Sequence, residues 1–71
     1  MTKMKKNVVT KFTCRLDRAI YWALQGGLMR PVGALDVWYR YSKRETEIVD
    51  ELKNVVCFGP RDFNRLWEVQ L

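Results

Sequence analysis

The sequence predicts a small single domain of the α+β class, with a β-α-β-α core and a C-terminal element that reads as a helix or a strand. Three observations carry this. Residues 7–16 alternate apolar and polar side chains with a period of two, as a half-buried strand does. Residues 18–25 and 45–54 carry apolar side chains at helical spacing. A chain of 71 residues supports one core, in which about 60% of the unfolded surface is buried.

The first strand follows a basic arm, residues 1–6, and places Val8, Thr10, Phe12, Cys14 and Leu16 on one face. Lys11 and Arg15 then share the other face, in solvent. Asp17 is a suitable N-cap for a helix over Arg18–Gln25, with Ile20, Ala23 and Leu24 inward and Leu16 one turn earlier. Gly26-Gly27 closes that helix, because glycine takes the left-handed conformation readily. From Leu28 to Leu35 the Arg30-Pro31 and Gly33 signals predict a loop or short turn. Val37 to Tyr41 is dense in strand formers, with Val37, Tyr39 and Tyr41 on one face and Trp38, Arg40 and Ser42 on the other. A helix from Ala34 through Tyr41 competes with that strand.

Ser42-Lys43-Arg44-Glu45 fits a capping box. A helix is expected to run from it to about Asn54, with Ile48, Val49, Leu52, Val55 and Val56 as its buried stripe. In that helix Leu52→Ala would cost about 2–4 kcal/mol. Glu45, Glu47, Asp50 and Glu51 then lie on its solvent face, with the first strand's basic side chains as their expected partner. Val55 to Phe58 reads as a short strand. Pro60 is well placed to start a last helix, with Phe63, Leu66 and Trp67 on one side. The alternation Trp67, Val69, Leu71 instead describes a strand closing against the first one.

The chain contains no His, so no Ser-His or Cys-His system exists, and no phosphate-binding or calcium-binding loop is present. The acidic residues lack a cleft to set their pKa values apart. The chain is therefore expected to be non-enzymatic, with no catalytic residues, no cofactor and no metal. Cys14 and Cys57 are 43 positions apart with no further ligand nearby, which reads as two buried thiols in a reducing cytoplasm. The longest uncharged run, Ala19–Met29, is 11 residues, well short of the roughly 20 that a membrane span needs. No secretory leader is expected, because Lys11, Arg15, Asp17 and Arg18 interrupt any apolar region after the first lysines.

Charge is the most informative feature. The net charge is +5, and residues 1–18 carry six basic side chains against Asp17 alone. Residues 19–71 carry seven of each sign. Such a concentrated positive end speeds encounter with anionic partners. The aromatic run Trp38-Tyr39-Arg40-Tyr41 is the second, since Trp, Tyr and Arg are enriched in interface hot spots and serve as stacking platforms for single strands. The residues expected to bind a partner are accordingly Lys5, Lys6, Lys11, Arg15, Arg18, Trp38 and Arg40.

A basic end opening Met1-Thr2-Lys3-Met4-Lys5-Lys6, no His and no catalytic motif together resemble small phage-encoded host-takeover proteins. Within that group the chain is similar to the RNA-polymerase-binding transcription regulator and antiterminator of a Xanthomonas phage. The resemblance rests on size and general character along the whole chain and carries over no individual residues. It implies a monomer in the host cytoplasm, bound to host RNA polymerase near its RNA exit region, inhibiting initiation and permitting read-through of terminators. The alternative is direct binding of single-stranded or duplex nucleic acid through the basic end and the aromatic run.

Overall fold

A computed structural model describes residues 10–71, so the expected basic arm, Lys5 and Lys6 lie outside the described residues. The fold is mixed α+β. Its elements are β1 (Lys11–Cys14), α1 (Leu16–Leu24), β2 (Leu28–Pro31), β3 (Arg40–Ser42), β4 (Glu47–Val49), α2 (Pro60–Phe63) and β5 (Trp67–Gln70).

Strand β5 lies at the centre of a three-stranded antiparallel sheet in the order β1-β5-β2. The C-terminal alternation is thus a strand closing on the first, and the helix before it is only the four residues of α2. Phe12 pairs with Val69 and Cys14 with Trp67, while Met29 and Pro31 take the same partners from the other side. These residues share the inner face, over which α1 lies. Tyr39 joins the row through paired backbone bonds with Met29, N to O at 2.9 and 2.7 Å, an isolated bridge by which the separate two-stranded sheet β3-β4 meets the first. The core comprises Leu16, Ala19 and Ala23 of α1 with Met29, Ile48, Trp67 and Val69, and Phe12, Tyr39, Tyr41 and Phe58 pack at its margin.

Helix α1 starts earlier than its expected cap. Arg15 is the N-cap residue, and Asp17 lies in the first turn, where its carboxylate accepts the Arg18 N–H at 2.9 Å. A negative charge is favourable there, beside the positive end of the helix dipole. Starting at Leu16 rotates the buried stripe to Leu16, Ala19 and Ala23, and leaves Leu24 half-exposed. Gly26 closes the helix with φ +104°, and the Gly27 N–H reaches back to the Trp22 carbonyl at 3.0 Å. A Cβ on Gly27 would sit 3.1 Å from that carbonyl oxygen and 3.2 Å from that of Gln70. Gly27→Ala is expected to cost about 1–3 kcal/mol, read as a lower denaturant midpoint.

Residues 28–31 form a strand where a loop was expected. The bias that Pro31 imposes on Arg30 is toward extended backbone, which suits a strand as well as a loop. Pro31 stands at the strand's last position, where a missing N–H costs least.

The largest departure is at residues 42–54, which form a hairpin and a turn in place of a helix. One of the two capping-box bonds forms, and a bond between the two side chains stands in place of the other. The Ser42 hydroxyl donates to the Glu45 carboxylate, and the Glu45 N–H donates to the Ser42 Oγ at 3.2 Å. They close a loop, however, in which Thr46 takes φ +56° and the chain reverses into β4. Tyr41 then pairs with Ile48 and Arg40 with Val49. Ile48 and Val49 are both buried, one on each face of the strand, and this adjacent pair is what imitated a helical stripe. Asp50 reverses the chain again, its Oδ1 accepting the N–H groups of Leu52 and Asn54, both at 2.9 Å. Those bonds hold the Asp50 carboxyl below its ordinary range, the contact from Asn54 contributing most. Its contribution to the turn is therefore complete above the ordinary carboxylate pKa and lost as pH falls through the lowered one.

Leu52 stands at the tip of this turn and is 80% exposed. The expected core role is corrected. Leu52→Ala should change stability by no more than about 0.5 kcal/mol, and a melting curve superimposing on wild type is the expected result. Val55 is likewise half-exposed and meets β4 at a single bridge to Val49, so the expected 55–58 strand reduces to that contact. Glu45, Glu47, Asp50 and Glu51 are spread over loop, strand and turn and share no helix face.

Candidate interaction surface

The register sorts the candidate residues by face. Opposite the inner row, Lys11, Gln70 and Leu28 share the helix-free face, as do Thr13, Glu68 and Arg30. Trp38 and Arg40 flank Tyr39 and therefore continue these rows on the same side. Tyr39 and Tyr41 pack against the core, as one of the two expected facings had it.

Arg30, which sequence reasoning left in a loop, organises this face. It is 8% exposed, its Nε lies 2.7 Å from Glu68 Oε1, and its guanidinium sits 4.0 Å from the Trp38 ring centroid. An NH1 bond of 3.1 Å to the Leu35 carbonyl ties the β2–β3 connection down over the sheet. One face of Trp38 is thus occupied by an internal cation, which removes it as an open stacking platform. Arg30→Ala is expected to cost about 2–3 kcal/mol, because it strands the half-buried Glu68 carboxylate and uncovers Trp38. A fall in denaturant midpoint of that size checks it. Alternation of residues 28–31 would have marked Arg30 only if the segment had been read as a strand.

The basic residues are placed differently. Lys11, Arg15 and Arg18 are all exposed, at β1 and the start of α1, with Asp17 as the acidic residue between them. Arg15 spends one N–H group on the Phe63 carbonyl at 3.1 Å. Arg40 is exposed as well, but in the separate sheet β3-β4, which meets the first sheet on the far side of β2 from β1. The seven expected binding residues therefore do not form one site. Arg15 and Arg18 stand together at the start of α1, Lys11 is on the other face of β1, and Trp38 and Arg40 lie beyond β2.

Between β1 and the start of α1 lies an open groove of about 590 Å³, lined by Phe12, Cys14, Arg15, Asp17, Arg18 and Trp22. Its apolar wall is built by Phe12 of β1 meeting Trp22 of α1 edge to face, with centroids 6.0 Å apart. Tyr21 stands edge-on to Trp22 at 5.1 Å and is half-exposed. Burial pushes the Cys14 thiol above its ordinary pKa, against the pull of Arg18, so it is a protonated apolar wall group at neutral pH. Cys57 is exposed and Cys14 half-buried, which corrects the expectation of two buried thiols, and neither cysteine is disulfide-bonded.

Among the described residues no helix is long and apolar enough to cross a membrane, and no three His, Cys, Asp or Glu side chains gather to hold a metal ion. No protein-family model matches this chain, and no curated protein or solved structure matches it either.

Proposed function

We propose that this chain is a non-enzymatic binding module of the phage regulator type, which docks on host RNA polymerase in the host cytoplasm and alters initiation and termination. The observation that supports this reading is that Lys11, Arg15 and Arg18, at β1 and the start of α1, are all exposed with Asp17 as the one acid between them in the chain. Such a surface favours an acidic protein partner and accelerates its capture. The polymerase as the particular partner comes from the resemblance in size and character.

The aromatic run lends the nucleic-acid alternative little, since Tyr39 and Tyr41 pack inward and Trp38 is engaged by Arg30. The test is retention of purified bacterial RNA polymerase by the immobilised full chain, with and without nuclease, followed by terminator read-through in vitro. Nuclease-resistant retention with altered read-through is expected. Capture that disappears with nuclease, together with tight binding of an oligonucleotide alone, would transfer the function to nucleic acid.

A further inference from the structure

We propose that the edge of β1 left unpaired among the described residues receives an extended acidic segment of a partner protein as an added strand, with one apolar side chain of that segment seated in the Phe12–Cys14–Trp22 groove. This rests on the reading of the basic end as a protein-docking surface and states how the docking is made.

Three observations on the same few residues carry it. The first is the edge. Strand β1 pairs only with β5 among the described residues. The Leu71 N–H bonds the Thr10 carbonyl at 2.9 Å, which fixes the phase of the ladder. Alternation then turns the backbone groups of Phe12 and Cys14 toward β5, and those of Lys11 and Thr13 outward. These outward groups are a ready template for another strand. The second is the groove. A residue of an added strand set opposite Phe12 projects from the same face as Phe12, the helix side, where the groove opens. The apolar wall and the protonated Cys14 thiol suit an aliphatic or aromatic side chain at that position. The third is charge. Arg15 and Arg18 rim the groove against the single acid Asp17, and Lys11 stands on the strand's other face, so both sides of an added strand run past cations.

The same charges select the occupant. A second copy of this chain paired edge to edge would set Lys11 and Arg15 against like charges, which is unfavourable across a strand pair. An acidic segment meets the opposite condition.

The probe is the capped peptide Glu-Asp-Val-Phe-Val-Asp-Glu, titrated into the full chain labelled for amide detection. A peptide with Lys at the four acidic positions serves as control. We expect the acidic peptide to protect the Lys11 and Thr13 amides from hydrogen exchange at least tenfold and to shift the Trp22 indole signal. The Lys-flanked peptide should bind at least tenfold more weakly. Thr13→Pro deletes the outward N–H while leaving the bonds to β5, and should abolish protection and weaken binding at least tenfold. If that variant does not fold, Arg18→Glu, on the helix surface and outside the ladder, should weaken the acidic peptide and not the Lys-flanked one.

Binding without protection of Lys11 and Thr13, equal binding of both peptides, or no binding would each overturn the proposal. So would concentration-dependent protection of the same amides in the chain alone, which assigns the edge to self-association. Polymerase retention is measured alongside. A Thr13→Pro protein that folds and still holds polymerase removes the edge as the docking mode and leaves the partner reading standing. A wild-type chain that ignores polymerase yet binds the acidic peptide does the reverse.

Discussion

Trp67→Ala is expected to leave the chain unfolded at room temperature. Trp67 is 1% exposed and heads the fully buried side chains by volume. It stands on the central strand, with Phe58 edge-on at 5.6 Å and Tyr39 tilted at 6.2 Å. Its indole N–H also donates to the Asp62 carbonyl at 2.9 Å, fastening α2 to the sheet. Removing a buried tryptophan costs about 3–5 kcal/mol. A domain of this size is expected at the low end of natural stabilities, about 5 kcal/mol, so the loss consumes most or all of it. Far-UV circular dichroism and a thermal melt read the outcome. A cooperative transition within a few degrees of wild type would show that the β5 core is not as described here.

The largest effect on binding is expected from charge reversal. Changing Lys11, Arg15 and Arg18 to Glu, together with Lys5 and Lys6 of the arm, takes the net charge from +5 to −5. Affinity for purified RNA polymerase should fall at least tenfold, chiefly through slower association, and wild-type association should slow as salt shortens the screening length to about 3 Å near 1 M. The fold should persist, because exposed charges contribute about 1 kcal/mol or less each. The Arg15 contact with the Phe63 carbonyl is itself at the surface. Unchanged affinity in a folded variant would remove the basic end as the docking surface.

The sequence carried its local instructions faithfully in some segments and ambiguously in others. Strand β1, the Gly26-Gly27 helix stop and Pro60 at the start of α2 follow from period-two alternation, backbone freedom and a fixed φ, all of which act within a few residues. The exposure of Lys11, Arg15 and Arg18 was legible for the same reason, since charged side chains remain in water wherever the backbone goes. Residues 42–54 read as a helix because the bond from the Glu45 N–H to the Ser42 Oγ serves a helix cap and a tight loop alike. Likewise, Ile48-Val49 serves a helix face or a strand covered on both sides. Only pairing with Tyr41 and Arg40, and the reversal at Asp50, decided between them. The role of Arg30 was hidden in the same way. Its partners Glu68 and Trp38 stand 38 and 8 positions away and become neighbours only when β5 is laid beside β2 and Tyr39 is bridged to Met29. The edge of β1 belongs to that second class, because whether a strand is central or free is a property of the sheet. By itself, then, the sequence determined which short segments bend, extend or stay wet, through interactions confined to neighbouring residues. The tertiary structure alone decided which of them pair and what each pairing covers, because burial is settled between segments far apart in the chain.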